Sequence, residues 1–196
     1  MHLHSDRSPD SRSSLEEIVA GCRRAGLSRI ALTDHNTTHG ALELARREPG
    51  LAIVGEEVRT REGEVIGLFL SASVPPHLSA EETLARIHDM GGLTYLPHPF
   101  DRRRAHFSPQ RLLELAPAVD IVETFNTWCD EAANEAARLY AEGLGKPAAS
   151  GSDAHAPSEL GRSWMEMEPF EGPRDLLLKL AGARHHQVRA GARRRA

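Results

Sequence analysis

Apolar runs and amphipathic stretches alternate along the chain, and each change of period predicts a new element. Apolar residues every three to four positions predict helices, and short apolar runs predict buried strands. Ser14 with Glu17, Ser79 with Glu82, and Pro109 mark helix starts. The predicted helices are residues 15–27, 40–48, 79–90, 108–115, 131–145 and 172–182. The predicted strands are residues 29–35, 51–58, 64–70, 93–98, 118–125, 147–155 and 163–169.

This alternation decides the expected fold class, which is α/β. A helix that carries the chain back over a sheet makes successive strands parallel. About seven such units fit the length, so the pattern favours either a small barrel or a doubly wound sheet. The basic stretch at residues 183–196 loses periodicity, and we expect it to be a flexible tail.

Histidine and carboxylate residues recur at the carboxyl ends of the predicted strands. The chain opens with His2 and His4, which an extended segment would point to the same side, and Asp10 follows. The other strand-end residues are Asp34, His35, Glu56, Glu57, His98, Glu123, Asn126, Asp153 and His155. In α/β barrels these ends meet at the active site. The alternative is that these are unrelated polar residues scattered over the surface. Unrelated residues would not place histidine and carboxylate groups at so many strand ends.

Composition and charge fit a globular protein that is neither a nucleic-acid coat nor a membrane protein. The chain has 196 residues, 40% of them hydrophobic and 27% charged, and its net charge is −4. No apolar run approaches the roughly 20 residues of a membrane span, and no signal-peptide pattern is present. Cys22 and Cys129 lack metal-site or redox spacing. We therefore expect a cytoplasmic protein with free thiols.

Six motifs together resemble one known family. "HLHSDRSPDS", "TDHNT", "GEEV", "PHPF", "ETFN" and "GSDAH" follow in the order of the motifs of the PHP (polymerase and histidinol phosphatase) family. The resemblance covers residues 1–182, which it makes one PHP domain, and leaves 183–196 as the tail. It implies a distorted seven-stranded (β/α)7 barrel that binds two or three divalent metal ions and hydrolyses phosphoesters.

The resemblance also implies a set of metal ligands. His2, His4 and Asp153 correspond to the ligands of the first metal, and Glu57 corresponds to the carboxylate that bridges the first and second metals. Glu56 is the less favoured bridging residue. His98 corresponds to a ligand of the second metal. The third set is Asp10, His35 and His155, and the family pattern makes His155 and Asp10 candidates for catalysis. Imidazole with carboxylate suits Mn²⁺, Zn²⁺ or Fe²⁺.

Two departures from the family pattern change the expectation. Many relatives supply a second-metal histidine from the strand after the bridging glutamate, where this chain has "GEVIGLFL". Glu64 is either its substitute or an exposed residue at a strand start. Relatives also carry several residues before the first histidine. Here Met1 directly precedes His2, so we expect a first strand that is either clipped or very short.

The predicted ligand set favours phosphate chemistry. Two or three divalent ions outweigh the charge of Glu57, Asp153 and Asp10, so the pocket attracts an anion. Ions about 3.5–4 Å apart can share a hydroxide, which we assign as the nucleophile. Arg102, in "HPFDRRRAH", and Asn126 are candidate substrate-binding residues, although a solvated basic loop is the favoured interpretation for at least two of the three arginines in that run. Trp128 is either a stacking surface for a base or a core or rim aromatic.

Three functions follow from these residues. The leading hypothesis is a metal-dependent hydrolase of a small phosphomonoester or nucleotide. An exonuclease on short oligonucleotides is the alternative within enzymes, although the net acidity and few aromatic residues weigh against a long stacking groove. A non-catalytic metal-binding regulatory module is the third. The expected partner is a small phosphorylated substrate, with no membrane and no stable protein partner.

Overall fold

The computed structural model describes residues 1–187. Its α-helices are α1 (Leu15–Ala25), α2 (His39–Arg47), α3 (Ala80–Asp89), α4 (Pro109–Leu115), α5 (Glu131–Gly143) and α6 (Gly172–Leu180). Its strands are β1 (Ile30–Leu32), β2 (Ala52–Arg59), β3 (Glu64–Leu68), β4 (Leu93–Leu96), β5 (Ile121–Asn126), β6 (Ala148–Gly151), β7 (Ser163–Glu166) and β8 (Arg184–Gln187). The six helices lie where the sequence predicts them.

Side-chain caps explain why the helix starts were predictable. Ser14, Ser79 and Ser108 each accept a hydrogen bond from a backbone N–H in the first turn of the helix that follows. Asp130 does the same for α5. These oxygens satisfy donors that have no partner within the helix. Gly26 ends α1 with φ of 66°, a left-handed conformation that glycine adopts without steric cost.

The main sheet has six strands in the order β1-β2-β3-β4-β5-β6. The pairs β1–β2, β4–β5 and β5–β6 are parallel, as expected. Strand β3 is antiparallel to both β2 and β4, so the expectation of an all-parallel sheet was wrong. The reason is the short turn at residues 60–63, where Thr60 N–H donates to Gly63 O, because so short a connection reverses the chain.

The first residues of the chain lie between the two ends of this sheet. Leu3 forms a parallel bridge with Ala154, just after β6, and His4 N–H donates to Ala154 O at 2.9 Å. On the other side, Thr33 N–H donates to Leu3 O at 2.9 Å, just after β1. The sheet therefore curls, and a single bridge stands where a first strand was expected to be very short.

The predicted count of seven strands is not confirmed. The stretch predicted as the last strand of the barrel forms β7, which pairs with β8 in a separate two-stranded antiparallel sheet. Strand β8 takes up residues 184–187 of the stretch that was predicted to be a flexible tail. Residues 188–196 of that predicted tail lie outside the described residues.

The apolar core lies directly beneath the edge of the sheet that carries the polar residues. Leu176 and Leu180 of α6 pack with Ile66 and Tyr95 of the sheet, and all four are buried. The Tyr95 hydroxyl is the point where this core meets the polar residues, because it donates to Glu123. None of the helices within residues 1–187 has the length and apolar character that a bilayer crossing requires.

Candidate metal centre

The carboxyl-end residues predicted from the sequence converge on one pocket. His2, His4, Glu57, His98 and Asp153 are buried at its centre. The ligand atoms of the predicted residues fall into four close groups: His2, His4 and Asp153; His2, Glu57 and His98; His4, His35 and His155; and His35, Glu57 and Glu64.

His2 and His4 face the same way because Leu3 between them points into the apolar core. Their Nε2 atoms are 3.1 Å apart. The Asp153 Oδ1 atom is 3.4 Å from His2 Nε2 and 3.3 Å from His4 Nε2. The first four residues of the chain lie between the two ends of the sheet, and they thus bring His2 and His4 next to Asp153.

Glu57 lies at the centre of the pocket. Its Oε2 atom is 3.2 Å from His2 Nε2 and 3.3 Å from His4 Nε2, and its Oε1 atom is 3.0 Å from His98 Nε2. Oε2 is also 3.3 Å from His35 Nδ1. One carboxylate therefore touches four imidazoles, as a residue that bridges two ions would.

The neighbouring Glu56 points to the opposite face of β2, because side chains alternate along a strand. Its Oε2 atom accepts from Val74 N–H at 2.7 Å, and burial raises its pKa to about 7. The structure thus brings Glu57, and not Glu56, into the cluster.

A second, more open group lies beside the buried centre. Asp10 Oδ2 is 3.2 Å from both His35 Nε2 and His155 Nε2. The His4 and His155 rings stack with centroids 4.3 Å apart, so this group adjoins the buried one. It contains the three residues that the resemblance assigns to a third metal.

Glu64 reaches the pocket because β3 runs antiparallel to β2. The start of β3 lies beside the carboxyl end of β2, where Glu64 pairs with Arg59 in the ladder. Its carboxylate forms an ion pair with Arg59 at 3.1 Å and lies in the group with His35 and Glu57. A residue at a strand start therefore lies on the same edge as strand-end residues.

The hydrogen-bond partners of three histidine rings indicate which ring nitrogens face the pocket without a hydrogen. His2 Nδ1 is 3.1 Å from Glu123 Oε1, and His155 Nδ1 is 2.8 Å from the Asp153 carbonyl. His4 Nδ1 is 3.2 Å from Ser8 Oγ, whose own proton goes to Asp34 Oδ1. Each of these oxygens accepts a hydrogen bond, so each Nδ1 carries the hydrogen in the neutral ring.

Consequently the Nε2 lone pairs of the three rings point into the pocket, toward carboxylates that are also acceptors. Asp153 Oδ1 is buried and accepts no hydrogen bond. A buried pocket of acceptors with few donors costs free energy unless a cation fills it. These side chains therefore fit divalent metal ions.

The same excess of negative charge governs the pKa values. Burial opposes charge on His2 and His4, but Asp153 and Glu57 override it and raise the pKa of His2 well above 6.5 and that of His4 to about 9. Burial likewise opposes ionisation of Glu57 and Asp153, and the imidazoles, His2 foremost, hold the pKa of each well below its usual value. The carboxylates thus keep their charge at neutral pH, and a bound ion would take the place of the protons that these raised pKa values put on His2 and His4.

Two of the central residues have a strained backbone. His98 has φ of 29° and Asp153 has φ of 49°, in the left-handed region that non-glycine residues seldom adopt. Such strain persists where surrounding contacts hold the residue, and it is common at functional sites. At His98 the holding contact is visible, because its N–H donates to Glu123 Oε2 at 2.8 Å.

Glu123 organises the underside of the pocket. It contacts the His2 ring, and it accepts from the Tyr95 hydroxyl at 2.8 Å and from Asn126 Nδ2 at 2.9 Å. Two of the strand-end carboxylates thus orient histidine rings. Glu123 contacts His2 directly, and Asp34 acts on His4 through the Ser8 hydroxyl.

Of the two predicted substrate-binding residues, Asn126 is buried and Arg102 is exposed. The Asn126 amide donates to both Glu123 and Asp153, so it holds two carboxylates in place. No contact within residues 1–187 ties Arg102 to the cluster, and its role stays a prediction. Arg104 of the same loop reaches the cluster instead, with Nη2 2.8 Å from Asp153 Oδ2. The Asp101–Arg104 turn, closed by Arg104 N–H and Asp101 O at 3.1 Å, directs it inward.

Two parts of the chain match known protein families. Residues 1–87 match the family described as "PHP domain", and residues 131–182 match the one described as "PHP-associated". The uncharacterized protein MJ0417 of Methanocaldococcus jannaschii is 36% identical over 183 residues, which are 90% of this chain and 73% of that protein.

Solved structures share the fold at lower identity. One is a two-domain protein from Bacteroides vulgatus that contains a predicted PHP-like metal-dependent phosphoesterase, with a TM-score of 0.67 and 20% identity over 82% of this chain. This chain spans only 52% of its length. Another is the lesion-specific endonuclease PfuEndoQ from Pyrococcus furiosus, with a TM-score of 0.67 and 18% identity over 93% of this chain and 55% of that one.

Proposed function

This chain belongs to the PHP domain family of metal-dependent phosphoesterases, and from that premise we propose that it hydrolyses a small phosphomonoester or nucleotide. The observation that carries the proposal is the position of Glu57. Its carboxylate contacts the His2 and His4 rings through one oxygen and the His98 ring through the other. Such an arrangement suits two adjacent ions that share one carboxylate.

We assign the metal-holding residues by their groups. His2, His4 and Asp153 would hold a first ion with Glu57, and His98 would hold a second ion with Glu57. Asp10, His35 and His155 would hold a third, and Glu64 would add a carboxylate beside Glu57 and His35. Imidazole and carboxylate suit Mn²⁺, Zn²⁺ or Fe²⁺. Such ions, when bound, supply a nucleophilic water at neutral pH and polarise the phosphoryl group.

Side chains at the mouth of the pocket are placed to bind the phosphate and to protonate the leaving oxygen. Arg104 is about a quarter exposed and lies against Asp153, so its guanidinium is placed to bind a phosphoryl oxygen. Where two ions bind, His155 and Asp10 stay free to act together. In the imidazolium form His155 would give its Nε2 proton to the leaving oxygen, and the Asp10 carboxylate, with Oδ2 3.2 Å from Nε2, would stabilise that cation before the transfer. His98 and Asn126 keep the carboxylates in position.

An assay on a generic aryl phosphate tests this proposal. The purified protein, loaded with Mn²⁺, should release phosphate, and Glu57→Gln should lose at least about 100-fold in kcat/KM because the shared carboxylate loses its charge. His39→Gln is the matched control, since His39 is an exposed histidine outside the cluster. A folded, metal-loaded protein that hydrolyses no phosphoester, monoester or diester, would instead support the non-catalytic regulatory module.

A nuclease is the second candidate, because the solved structures that share this fold include a lesion-specific endonuclease. The net charge of −4 weighs against it, since a chain that follows a nucleic-acid backbone needs unpaired cations. A panel of a nucleotide, a bisphosphate and a short oligonucleotide separates the two functions. Preferential cleavage of the oligonucleotide would favour the nuclease.

A further inference from the structure

Trp128 lies at the mouth of the metal centre and is held there by both its side chain and its backbone. Its indole Nε1–H donates to the Asp153 carbonyl at 3.0 Å. Its backbone N–H donates to Asn126 Oδ1 at 2.9 Å, and its carbonyl accepts from Arg103. The ring is therefore fixed by the same residues that hold the candidate ligands.

Trp128 is nevertheless 36% exposed, which is unusual for a large aromatic residue with so many contacts. The other large apolar side chains that are exposed within residues 1–187 lie on or just after the outer helices, and they are Leu113, Leu139, Leu144 and Leu178. A fixed, exposed ring beside a reactive centre offers a flat surface to part of a substrate.

The charged residues around Trp128 indicate how many phosphate groups the substrate carries. Arg103 donates to both oxygens of Asp101, through Nε at 2.9 Å and Nη2 at 3.1 Å. Arg104 is paired with Asp153. Arg103 is therefore engaged by Asp101, and Arg104 is the arginine of this pair that reaches the metal centre. This arrangement suits one phosphoryl group beside Arg104 better than a run of backbone phosphates.

We propose that Trp128 stacks on the base of a nucleoside monophosphate whose phosphate enters the metal centre beside Arg104. This inference rests on the proposed phosphoesterase function and names its substrate class. Every base has a flat π-face, so a single indole selects for the presence of a base more than for its identity.

Adenosine 5′-monophosphate and glycerol 3-phosphate, a phosphomonoester without a ring, test the proposal together. The Mn²⁺-loaded protein should favour the nucleotide in kcat/KM. Trp128→Ala should lower that preference by roughly 10- to 100-fold, mainly through KM, because stacking is lost. Trp128→Phe should retain part of the preference. Leu139→Ala, which removes an exposed apolar side chain from α5, should keep all of it.

A binding measurement separates this inference from the function on which it rests. In a Trp164→Phe background Trp128 is the remaining tryptophan, and the nucleotide should quench its fluorescence while glycerol 3-phosphate should not. Quenching without turnover would count against the hydrolase and for the stacking surface. The inference fails if hydrolysis shows no preference for the nucleotide, if Trp128→Ala leaves that preference intact, or if a short oligonucleotide is preferred to the monophosphate.

Discussion

The Glu123 carboxylate holds the His2 ring from below, with Oε1 3.1 Å from Nδ1, and both side chains are fully buried. This contact fixes the hydrogen of His2 on Nδ1 and leaves the Nε2 lone pair directed at Glu57 and Asp153. A carboxylate behind a metal-binding imidazole sets its orientation and raises its basicity. Glu123 thus connects the apolar core, through the Tyr95 hydroxyl, to the His2 ring of the candidate metal centre.

Glu123→Gln should weaken metal binding without unfolding the protein. The amide keeps the shape of the side chain but loses the charge that orients His2, and such changes cost about 10- to 100-fold in metal affinity. Titration with Mn²⁺ in a calorimeter measures this. Glu135→Gln, an exposed glutamate on α5 that pairs with Arg138, is the control. Equal affinities for Glu123→Gln and the wild type would show that His2 needs no such partner.

Gly151→Ala should be destabilising because there is no room for a side chain behind Glu123. An added Cβ would lie 1.9 Å from Glu123 Oε1 and 2.8 Å from His2 Cβ. Overpacking of this kind costs about 1–3 kcal/mol in the free energy of unfolding. Gly143→Ala is the matched control, because its Cβ would meet nothing within 4 Å. Urea unfolding should separate the two, and equal stabilities would contradict the contact.

His98→Ala should abolish phosphoester turnover while the fold persists. The substitution removes the imidazole from Glu57 Oε1, where we place the second ion. Because alanine is strained at φ of 29°, His98→Asn is a second variant, since asparagine tolerates the left-handed region better. Circular dichroism checks the fold and kcat/KM the activity. Full activity in either folded variant would remove His98 from the centre.

The sequence predicted most elements because their signals are local. The Ser14 and Ser79 caps and the apolar runs depend only on near neighbours, and the convergence of strand-end residues follows from parallel strands. The antiparallel direction of β3 was not predicted. The sequence of the turn at residues 60–63 does not show whether the next strand pairs with β2 as a hairpin or lies elsewhere in the sheet. Within the arginine run the sequence favoured Arg102 over Arg104, since only the Asp101 turn decides which arginine points inward.

Glu64→Gln should reduce metal loading if this carboxylate compensates for the histidine that relatives supply. Its position beside His35 and Glu57 predicts a weaker affinity for one ion, with the others retained. Elemental analysis after gel filtration at low Mn²⁺ concentration gives the stoichiometry. Glu62→Gln is the control, because Glu62 pairs with Arg111 outside the cluster. Unchanged stoichiometry in Glu64→Gln would leave Glu64 as a partner of Arg59 alone.

Removal of metal should lower the thermal stability, because the pocket buries carboxylates among imidazole nitrogens and a bound cation neutralises their charge. A ligand at 100 times its Kd stabilises a protein by about 2.7 kcal/mol for one site. For a chain of this size that corresponds to a Tm rise of roughly 5–10 °C on adding Mn²⁺ to chelator-treated protein. Scanning calorimetry measures the shift, and Asp153→Asn should abolish most of it because it neutralises the buried Oδ1 that accepts no hydrogen bond. If Tm were the same with and without Mn²⁺ at saturating concentration, the pocket would have no cation to hold and the acceptor cluster would need another explanation.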